Sequence, residues 1–159
     1  MLNIQKVDEV DLGKENMRLT DVLRKLDGVR DKVRFGDILT IKLRKNGRTI
    51  KEWSVVANTW TAIGRQLIRD ALCDGGFTKI SYMYADGKGG TAQGTTNSKP
   101  APDKARFVAT WSSSGSIADI TSFSLRQTSD GSDLATVAVN SFDKPDGVEL
   151  QVTWTITVS

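Results

Sequence analysis

The last twelve residues of the chain alternate strictly between apolar and polar side chains. Apolar residues occupy every second position from Val148 to Val158. Glu, Gln or Thr occupies each position between them, and Ser159 ends the chain. Successive side chains of a β-strand point to opposite faces of a sheet, so this pattern predicts one long strand with a buried face and a hydroxyl-rich outer face. The core positions predicted for this strand are Leu150, Val152, Trp154 and Ile156.

Two further strand-like runs lie within residues 38–55, and Asn46 and Gly47 separate them. Both residues tolerate the positive φ angles of a type I′ turn. The pair therefore predicts a β-hairpin closed by a two-residue turn.

A helical pattern follows the hairpin. Asn58 or Thr59 can cap its start, and Asp74-Gly75-Gly76 predicts its end because glycine readily adopts the left-handed conformation. Cys73 falls in the last turn, where we expect a small, partly buried residue. The face predicted to pack on the core consists of Trp60, Ile63, Leu67, Ile68, Ala71 and Leu72.

Five strands are predicted after the helix, separated by turns rich in Ser, Gly, Asp and Pro. In the third of them, Phe123 and Leu125 share a face but Ile120 is out of phase, which predicts a bulge or bend. The predicted strands cover approximately residues 77–85, 106–113, 117–127, 134–141 and 148–158.

In the first of these strands, Ile80, Tyr82 and Tyr84 are expected to share a face. The following residues, 86–104, have almost no apolar side chains, so we expect a long loop that contacts a neighbouring subunit. Its glycines lack the spacing of a phosphate-binding loop. The candidate contact residues in this loop are Asp86, Lys88, Lys99 and Lys104.

Together these elements predict a mainly β protein. Its fold class is an antiparallel β-sandwich of jelly-roll-like type, with one short helix across it and an N-terminal arm plus helix in front. The predicted domains are residues 1–37, the arm and short helix, and residues 38–159, the sandwich.

The N-terminal arm contains apolar residues that follow neither the helical nor the strand period, as in a segment that becomes ordered against another surface. A helix over about residues 21–33, capped by Thr20, has a narrow apolar stripe. This stripe either packs on the chain's own sheet or associates with itself at an oligomer axis. The interface candidates in both segments are Leu2, Ile4, Val7, Val10, Leu12, Val22, Leu26, Val29 and Val33.

Composition narrows the range of possible functions. The chain has 159 residues, no histidine and a single cysteine. Ser-His-Asp and Cys-His catalysis, Cys/His zinc sites and an internal disulfide are therefore excluded. The carboxylates are scattered and lack the spacing of a calcium loop. We expect a non-enzymatic protein with no catalytic residues, metal site or cofactor.

The charge of the chain is uneven but modest. Its net charge is +3, and residues 1–52 hold 13 Lys and Arg against 9 Asp and Glu. These charges alternate in sign, which is typical of a solvated face, so we expect no nucleic-acid partner. The first residues contain no continuous apolar run, so we expect synthesis in the cytoplasm and no membrane partner.

The order of elements also suggests a family. Residues 56–72 combine an asparagine with a short helix, residues 80–90 run from a strand into a glycine-rich loop, and residues 150–159 end the chain on alternating threonines. With the charged hairpin and the Thr/Gly/Pro loop, this arrangement resembles small virion structural proteins of tailed bacteriophages. The resemblance covers about residues 38–159 and implies a structural role in the virion.

The leading hypothesis is a capsid decoration (cement) protein that is attached through its N-terminal arm, because the chain is small and has no receptor-binding repeat. Its partners are then other virion proteins and further copies of itself, and its location is the virion. The first alternative is a tail-fibre, baseplate or adaptor component. The second is a carbohydrate-binding or adhesion module. Since Trp60 and Trp154 lie on predicted core faces, the candidate ligand aromatics are Trp53 and Trp111.

Overall fold

A computed structural model describes residues 35–57, 60–75 and 78–158. The chain divides into two units, Met1–Val33 and Arg34–Ser159, and the described residues belong to the second. The helix expected over residues 21–33 and all nine interface candidates of the N-terminal region lie outside the described residues. The first strand begins at Phe35, slightly before the predicted start of the sandwich domain at residue 38.

The described residues form nine strands and one helix. In chain order they are β1 (Phe35–Lys45), β2 (Arg48–Ala57), α1 (Ala62–Asp74), β3 (Tyr82–Ala85), β4 (Ala92–Gly94), β5 (Thr96–Ala101), β6 (Lys104–Trp111), β7 (Ile117–Arg126), β8 (Ala135–Lys144) and β9 (Glu149–Val158).

The strands are arranged in two antiparallel sheets. One sheet has five strands in the order β2-β1-β9-β6-β5, and the other has four in the order β4-β3-β7-β8. Apolar side chains from both sheets are buried in a common core, as in a sandwich. The predicted fold class, a mainly β antiparallel sandwich with a short helix, is confirmed for the part of the chain that the structure describes.

Strand β9 lies in the middle of the five-stranded sheet, between β1 and β6. Leu150, Val152, Trp154 and Ile156 are all buried, and the residues between them are partly exposed. The alternation in the sequence thus correctly predicts both faces of this strand. The opposite sheet contributes Met83, Ile120, Phe123, Leu125 and Val137 to the same core.

The turn between β1 and β2 has the predicted geometry. Asn46 has a φ of 50° and Gly47 a φ of 76°, so both residues are in the left-handed region that a type I′ turn requires. The hairpin prediction is confirmed.

Replacing Gly47 with valine is expected to destabilise the protein by roughly 1–3 kcal/mol, because a β-branched residue is strained at positive φ. Urea unfolding of the two proteins would measure the difference. Thr49→Val, an exposed position on the strand beside the turn, is the control and should change stability by less than about 0.5 kcal/mol. Equal stability of Gly47→Val and the wild type would show that the turn does not constrain the backbone.

Helix α1 begins later than predicted, because its N-cap is Thr61 and not Asn58 or Thr59. The Thr61 hydroxyl accepts a hydrogen bond from the Gly64 N–H (3.0 Å), and the Thr61 N–H donates to the carbonyl of Leu134 (2.9 Å). The helix ends as predicted, at Gly75, which has a φ of 67°.

The predicted apolar face of α1 is only partly correct. Leu67 packs against the core, but Ile63 and Leu72 are 46% and 83% exposed. Cys73 is exposed, so the expectation of a partly buried cysteine is wrong. Near the start of the helix, the backbone of Gly64 lies directly against Leu134. A Cβ at this position would lie 2.1 Å from the carbonyl oxygen of Leu134, so only glycine fits there.

The bulge predicted near Ile120 is present in β7. The pairing of β7 with β8 shifts register on both sides of Ile120, and Asp119 has a φ of 55°. These shifts bring Ile120 into the core although it is out of phase with Phe123 in the sequence.

Tyr82 and Tyr84 share one face of β3, as predicted, but this is the partly exposed face. Met83 and Ala85 are buried, and Tyr82 and Tyr84 lie on the other side of the strand, partly exposed. Ile80 is buried too, but it precedes the strand. Tyr84 is covered by the Arg126 guanidinium, which lies 4.0 Å from the ring centre, so its apolar ring is shielded without entering the core.

Residues 86–104 are not a long loop. They contain β4, which pairs with β3, and β5, which pairs with β6. Most of their side chains face solvent because both strands lie at sheet edges. The expected structureless loop is therefore corrected to two short edge strands.

Candidate functional site

Asp86, a predicted contact residue, stabilises the fold of its own chain. Its carboxylate accepts hydrogen bonds from the hydroxyls of Thr121 (3.0 Å) and Ser122 (3.0 Å). These bonds hold the turn after β3 against β7. The next residue, Gly87, lies close to the main chain of Ala118. A Cβ at this position would lie 2.6 Å from the carbonyl oxygen of Ala118, so the position requires glycine.

The three predicted contact lysines do not form a common site. The main chain of Lys88 forms a bridge with Ala118, and its ammonium lies 3.5 Å from the Asp119 carboxylate. Lys99 belongs to the edge strand β5 and lines a cavity, whereas Lys104 is exposed at the start of β6. No shared ligand geometry connects these lysines within the described residues.

Trp111 is not an available ligand aromatic, because only 2% of its surface is exposed. Its indole N–H donates to the carbonyl of Thr91 (3.0 Å), and its ring lies 5.8 Å from that of Phe123. The sequence contains a signal for this burial, since Trp111 has the same parity along β6 as the buried residues Phe107 and Ala109.

Trp53, the other candidate aromatic, is half-buried at one side of the sandwich. Its ring meets Phe142 edge to face at 4.8 Å, which joins β2 to β8 across the two sheets. The ammonium of Lys51 lies 5.0 Å from the same ring. Trp53 therefore closes the side of the core and does not offer an open platform for a sugar ring.

An apolar cavity of about 380 Å³ lies between α1 and the sheets. Ile80, Phe107 and Ile156 form apolar parts of its wall, and Trp60 and Ile68 border it on the helical side. Lys79 and Lys99 also line it. Its volume is within the range of small ligand sites, and its chemistry suits an apolar group with a negatively charged end.

Asp37 on β1 has a buried carboxyl group. It is the register partner of Ile156 on β9, which lines the cavity. It is fully buried, and neither of its oxygens has a hydrogen-bond partner of ordinary geometry among the described residues. Burial raises its pKa from 3.8 to about 6, while the nearby indole N–H of Trp154 lowers the pKa by a smaller amount. Sequence reasoning missed Asp37, although it shares the parity of the buried residues Leu39 and Ile41 on β1.

Lys144, the last residue of β8, is a second buried charged group. Its ammonium donates to the carbonyl of Gly115 (2.5 Å), and the Gly115 N–H donates to the Asp146 carboxylate (2.8 Å). Burial lowers the pKa of Lys144, and the charge of Asp146 opposes this shift. These two hydrogen bonds fasten the turn at residues 113–117 to the end of β8 and to the turn that follows β8.

The most distinctive surface lies along β2, the edge strand of the five-stranded sheet. Ile50 is 56% exposed and Val56 79% exposed, and Ile38 (46%) is the register partner of Val56 on β1. Ile38 and Val56 lie on the outer face of the sheet, and Ile50 is the unpaired residue of the bulge between β1 and β2. Exposed apolar side chains on an unpaired edge are typical of a surface that binds protein.

The other edges in the described part of the chain are less suited to pairing. Strand β4 has three residues, and β5 contains Pro100 and a register shift. Strand β8 pairs with its neighbour through two register shifts. By contrast, β2 pairs with β1 in uninterrupted register from Lys51 to Ala57, and the one bulge, at Ile50, lies near the turn. Natural sheets use short strands, proline and bulges to block edge pairing, and the regular part of β2 has none of these.

Two other classes of site are not found in the described ranges. No group of three or more His, Cys, Asp or Glu residues there is placed to hold a metal ion. None of the helices there is both long enough and apolar enough to cross a membrane. Comparisons of the chain with protein-family models, with curated proteins and with solved structures find no match.

Proposed function

We propose that this protein is a non-enzymatic structural component of a tailed-bacteriophage particle. Its favoured role is a capsid decoration protein that binds the shell through its N-terminal arm, and a tail-fibre, baseplate or adaptor role is the alternative. Its partners in this proposal are other virion proteins and further copies of the same chain.

One contrast on the surface supports this proposal. The polar groups that could serve chemistry are occupied in holding the sandwich together, as in Asp86 with Thr121 and Ser122 or Arg126 with Asp133 (2.6 Å). Several large apolar side chains of the described residues are exposed, and two of them, Ile38 and Val56, are register partners on β1 and β2. A rigid sandwich of this kind suits protein–protein contact better than it suits catalysis.

The second support is the sequence itself. The elements that resemble virion proteins lie in residues 38–159, and the apolar residues of the arm have no period with which to pack on their own chain. Burial of five such side chains on a neighbour contributes about 1.5–3 kcal/mol each. Repetition of this contact over a lattice would hold each copy firmly.

Immunogold labelling of purified particles, viewed by negative-stain electron microscopy, tests the location. Gold over the shell would support decoration, and gold confined to the tail would support the alternative. Unlabelled particles from cells that produce the protein would contradict both roles.

Replacing Val7 and Val10 together with aspartate in the full-length chain is expected to weaken capture by particles that lack the protein by about tenfold or more. The reason is that two apolar contacts of the arm are lost. Capture by the unmodified protein should also fall at high salt, because residues 1–52 are mildly basic. Co-sedimentation with particles measures both effects.

The matched control is Leu72→Asp, which places a charge at a side chain that is 83% exposed on α1. It should bind particles like the unmodified protein. Unchanged capture by the Val7/Val10 variant, with an unchanged circular dichroism spectrum, would place attachment outside the arm.

A further inference from the structure

The cavity between α1 and the sheets has the size and the lining of a site for a small ligand. Three buried side chains, Ile80, Phe107 and Ile156, form apolar parts of its wall. Its volume of about 380 Å³ lies near the lower end of the range of roughly 300–1,000 Å³ that small-molecule sites occupy. Such sites are mostly apolar and contain a few polar groups that orient the ligand. The cavity therefore suits a short apolar tail.

Hydrogen bonds fix two walls of this cavity relative to each other. The side-chain amide of Asn97, on β5, donates to the carbonyl of Ile80 (2.6 Å). Just before β5, the Thr95 N–H donates to the carbonyl of Ser81 (2.8 Å). These bonds join an edge strand of the five-stranded sheet to the segment that leads into β3 of the four-stranded sheet. A ligand would thus enter a site that is already formed, which lowers the cost of binding.

Two cationic side chains lie where the cavity meets solvent. Lys79 and Lys99 both line the cavity, and both are exposed. Within the part of the chain that the structure describes, neither ammonium group forms an ion pair. No acidic residue is among the described residues that line the cavity. Asp37 lies nearby but is not part of the wall, and its carboxyl group interacts with the indole of Trp154. The cavity therefore has an unbalanced positive charge at its opening, which favours an anion.

An apolar tail with a carboxylate at one end would use both features of the cavity. The carboxylate could contact Lys79 and Lys99, whose long flexible stems let the ammonium groups adjust to its position. A neutral hydrocarbon would leave both cations without a partner, and a cationic amphiphile would be repelled by them. Charge complementarity thus selects an anionic amphiphile among the small apolar molecules that could fit.

We propose that this cavity binds a medium-chain alkyl carboxylate, with its tail between Ile80, Phe107 and Ile156 and its carboxylate beside Lys79 and Lys99. This site goes beyond the proposed structural role. It lies entirely within the sandwich and is tested with the protein alone, so it can fail or succeed independently of the proposal about the virion.

Isothermal titration calorimetry of the full-length protein with decanoate, below the concentration at which micelles form, measures this binding. We expect decanoate to bind saturably, with one molecule per chain. Decyltrimethylammonium has the same tail and the opposite charge, and it should bind about tenfold more weakly or less. Acetate has the carboxylate without the tail and should show no saturable binding.

The double variant K79E/K99E tests the charge at the opening. It should weaken the binding of decanoate about tenfold or more and strengthen that of decyltrimethylammonium, because two carboxylates replace the two ammonium groups. The matched control is K45E/R48E, which makes the same change of net charge beside the β1–β2 turn, at the opposite end of β1 from the cavity. The control should bind both probes like the unmodified protein.

Ala105→Leu tests the place of the tail. Ala105 lies on β6 as the register partner of Ile156, and it lines the cavity. A leucine there would occupy part of the space for the tail and should weaken the binding of decanoate about tenfold or more. Ala138→Leu, at an exposed position on β8, is the control and should leave binding unchanged. Circular dichroism on every variant checks that the sandwich is folded.

Three outcomes would overturn this site. The first is the absence of saturable decanoate binding, and the second is equal affinity for decanoate and decyltrimethylammonium. The third is decanoate binding that K79E/K99E leaves intact, which would place the ligand elsewhere in the chain. Both lysines are exposed, so this last result decides the question even if Ala105→Leu does not fold.

Discussion

Replacing Trp154 with alanine is expected to destabilise the protein by about 3–5 kcal/mol, which is enough to unfold a domain of ordinary stability. Trp154 is fully buried in the central strand β9, where its register partners are Leu39 on β1 and Phe107 on β6. The substitution leaves a large cavity in the middle of the five-stranded sheet, and its neighbours can fill only part of this space. Urea unfolding monitored by circular dichroism gives the free energy of unfolding.

Val158→Ala is the matched control for Trp154→Ala. Val158 lies on the same strand and has the same parity, but it is 44% exposed at the strand end. Its truncation removes fewer buried contacts and should cost less than about 1.5 kcal/mol. If Trp154→Ala costs no more than Val158→Ala, the burial of the tryptophan does not contribute to stability as we expect.

Asp37 is expected to make the protein less stable as the pH rises. The pKa of this buried carboxyl is about 6 in the folded protein and 3.8 in the unfolded chain. The folded state therefore holds the proton more tightly, and this stabilisation is fully present below about pH 4 and is lost as the pH rises through 6. The difference of about two pH units corresponds to a loss of roughly 3 kcal/mol between pH 4 and pH 7.

Asp37→Asn isolates this effect, because asparagine does not ionise. Urea unfolding of both proteins at several pH values should show that the variant gains stability relative to the unmodified protein between pH 4 and pH 7. Asp103→Asn, at an exposed position, is the control and should follow the unmodified protein. Parallel pH profiles for Asp37→Asn and the unmodified protein would contradict the raised pKa.

Side-chain period predicts the parts of this fold in which one face of an element is buried. It succeeds for β9, where apolar and polar residues alternate without a fault, and for the bulge at Ile120, where the alternation breaks. The Asn46-Gly47 turn is predictable for a different reason, because few residues accept its backbone angles. Each of these signals is local and depends on a few neighbouring residues.

Features that depend on the partner surface are harder to predict. Strands β4 and β5 are polar because they lie at edges, and only main-chain pairing with β3 and β6 makes them strands. The start of α1 is set by the carbonyl of Leu134, which is distant in sequence from Thr61. The exposure of Ile63 and Leu72 likewise follows from where the helix meets the sheets.

The surface along β2 is also only partly predictable from the sequence. Strand β2 is predicted by the hairpin pattern, but its place at the edge becomes clear only from the sheet order. Parity along β1 and β6 indicates the burial of Asp37 and Trp111, which are in phase with the buried residues Leu39 and Phe107.

The attachment of α1 has a consequence for the cavity. Thr61 at the start of the helix binds the carbonyls of Asp133 and Leu134, and Leu67 packs against the core further along it. The helix is therefore held both at its N-cap and along its inner face. Ile68, the next residue, forms part of the cavity wall. A change of side-chain volume at Ile68 would thus alter the cavity from the helical side while every strand pair stays intact.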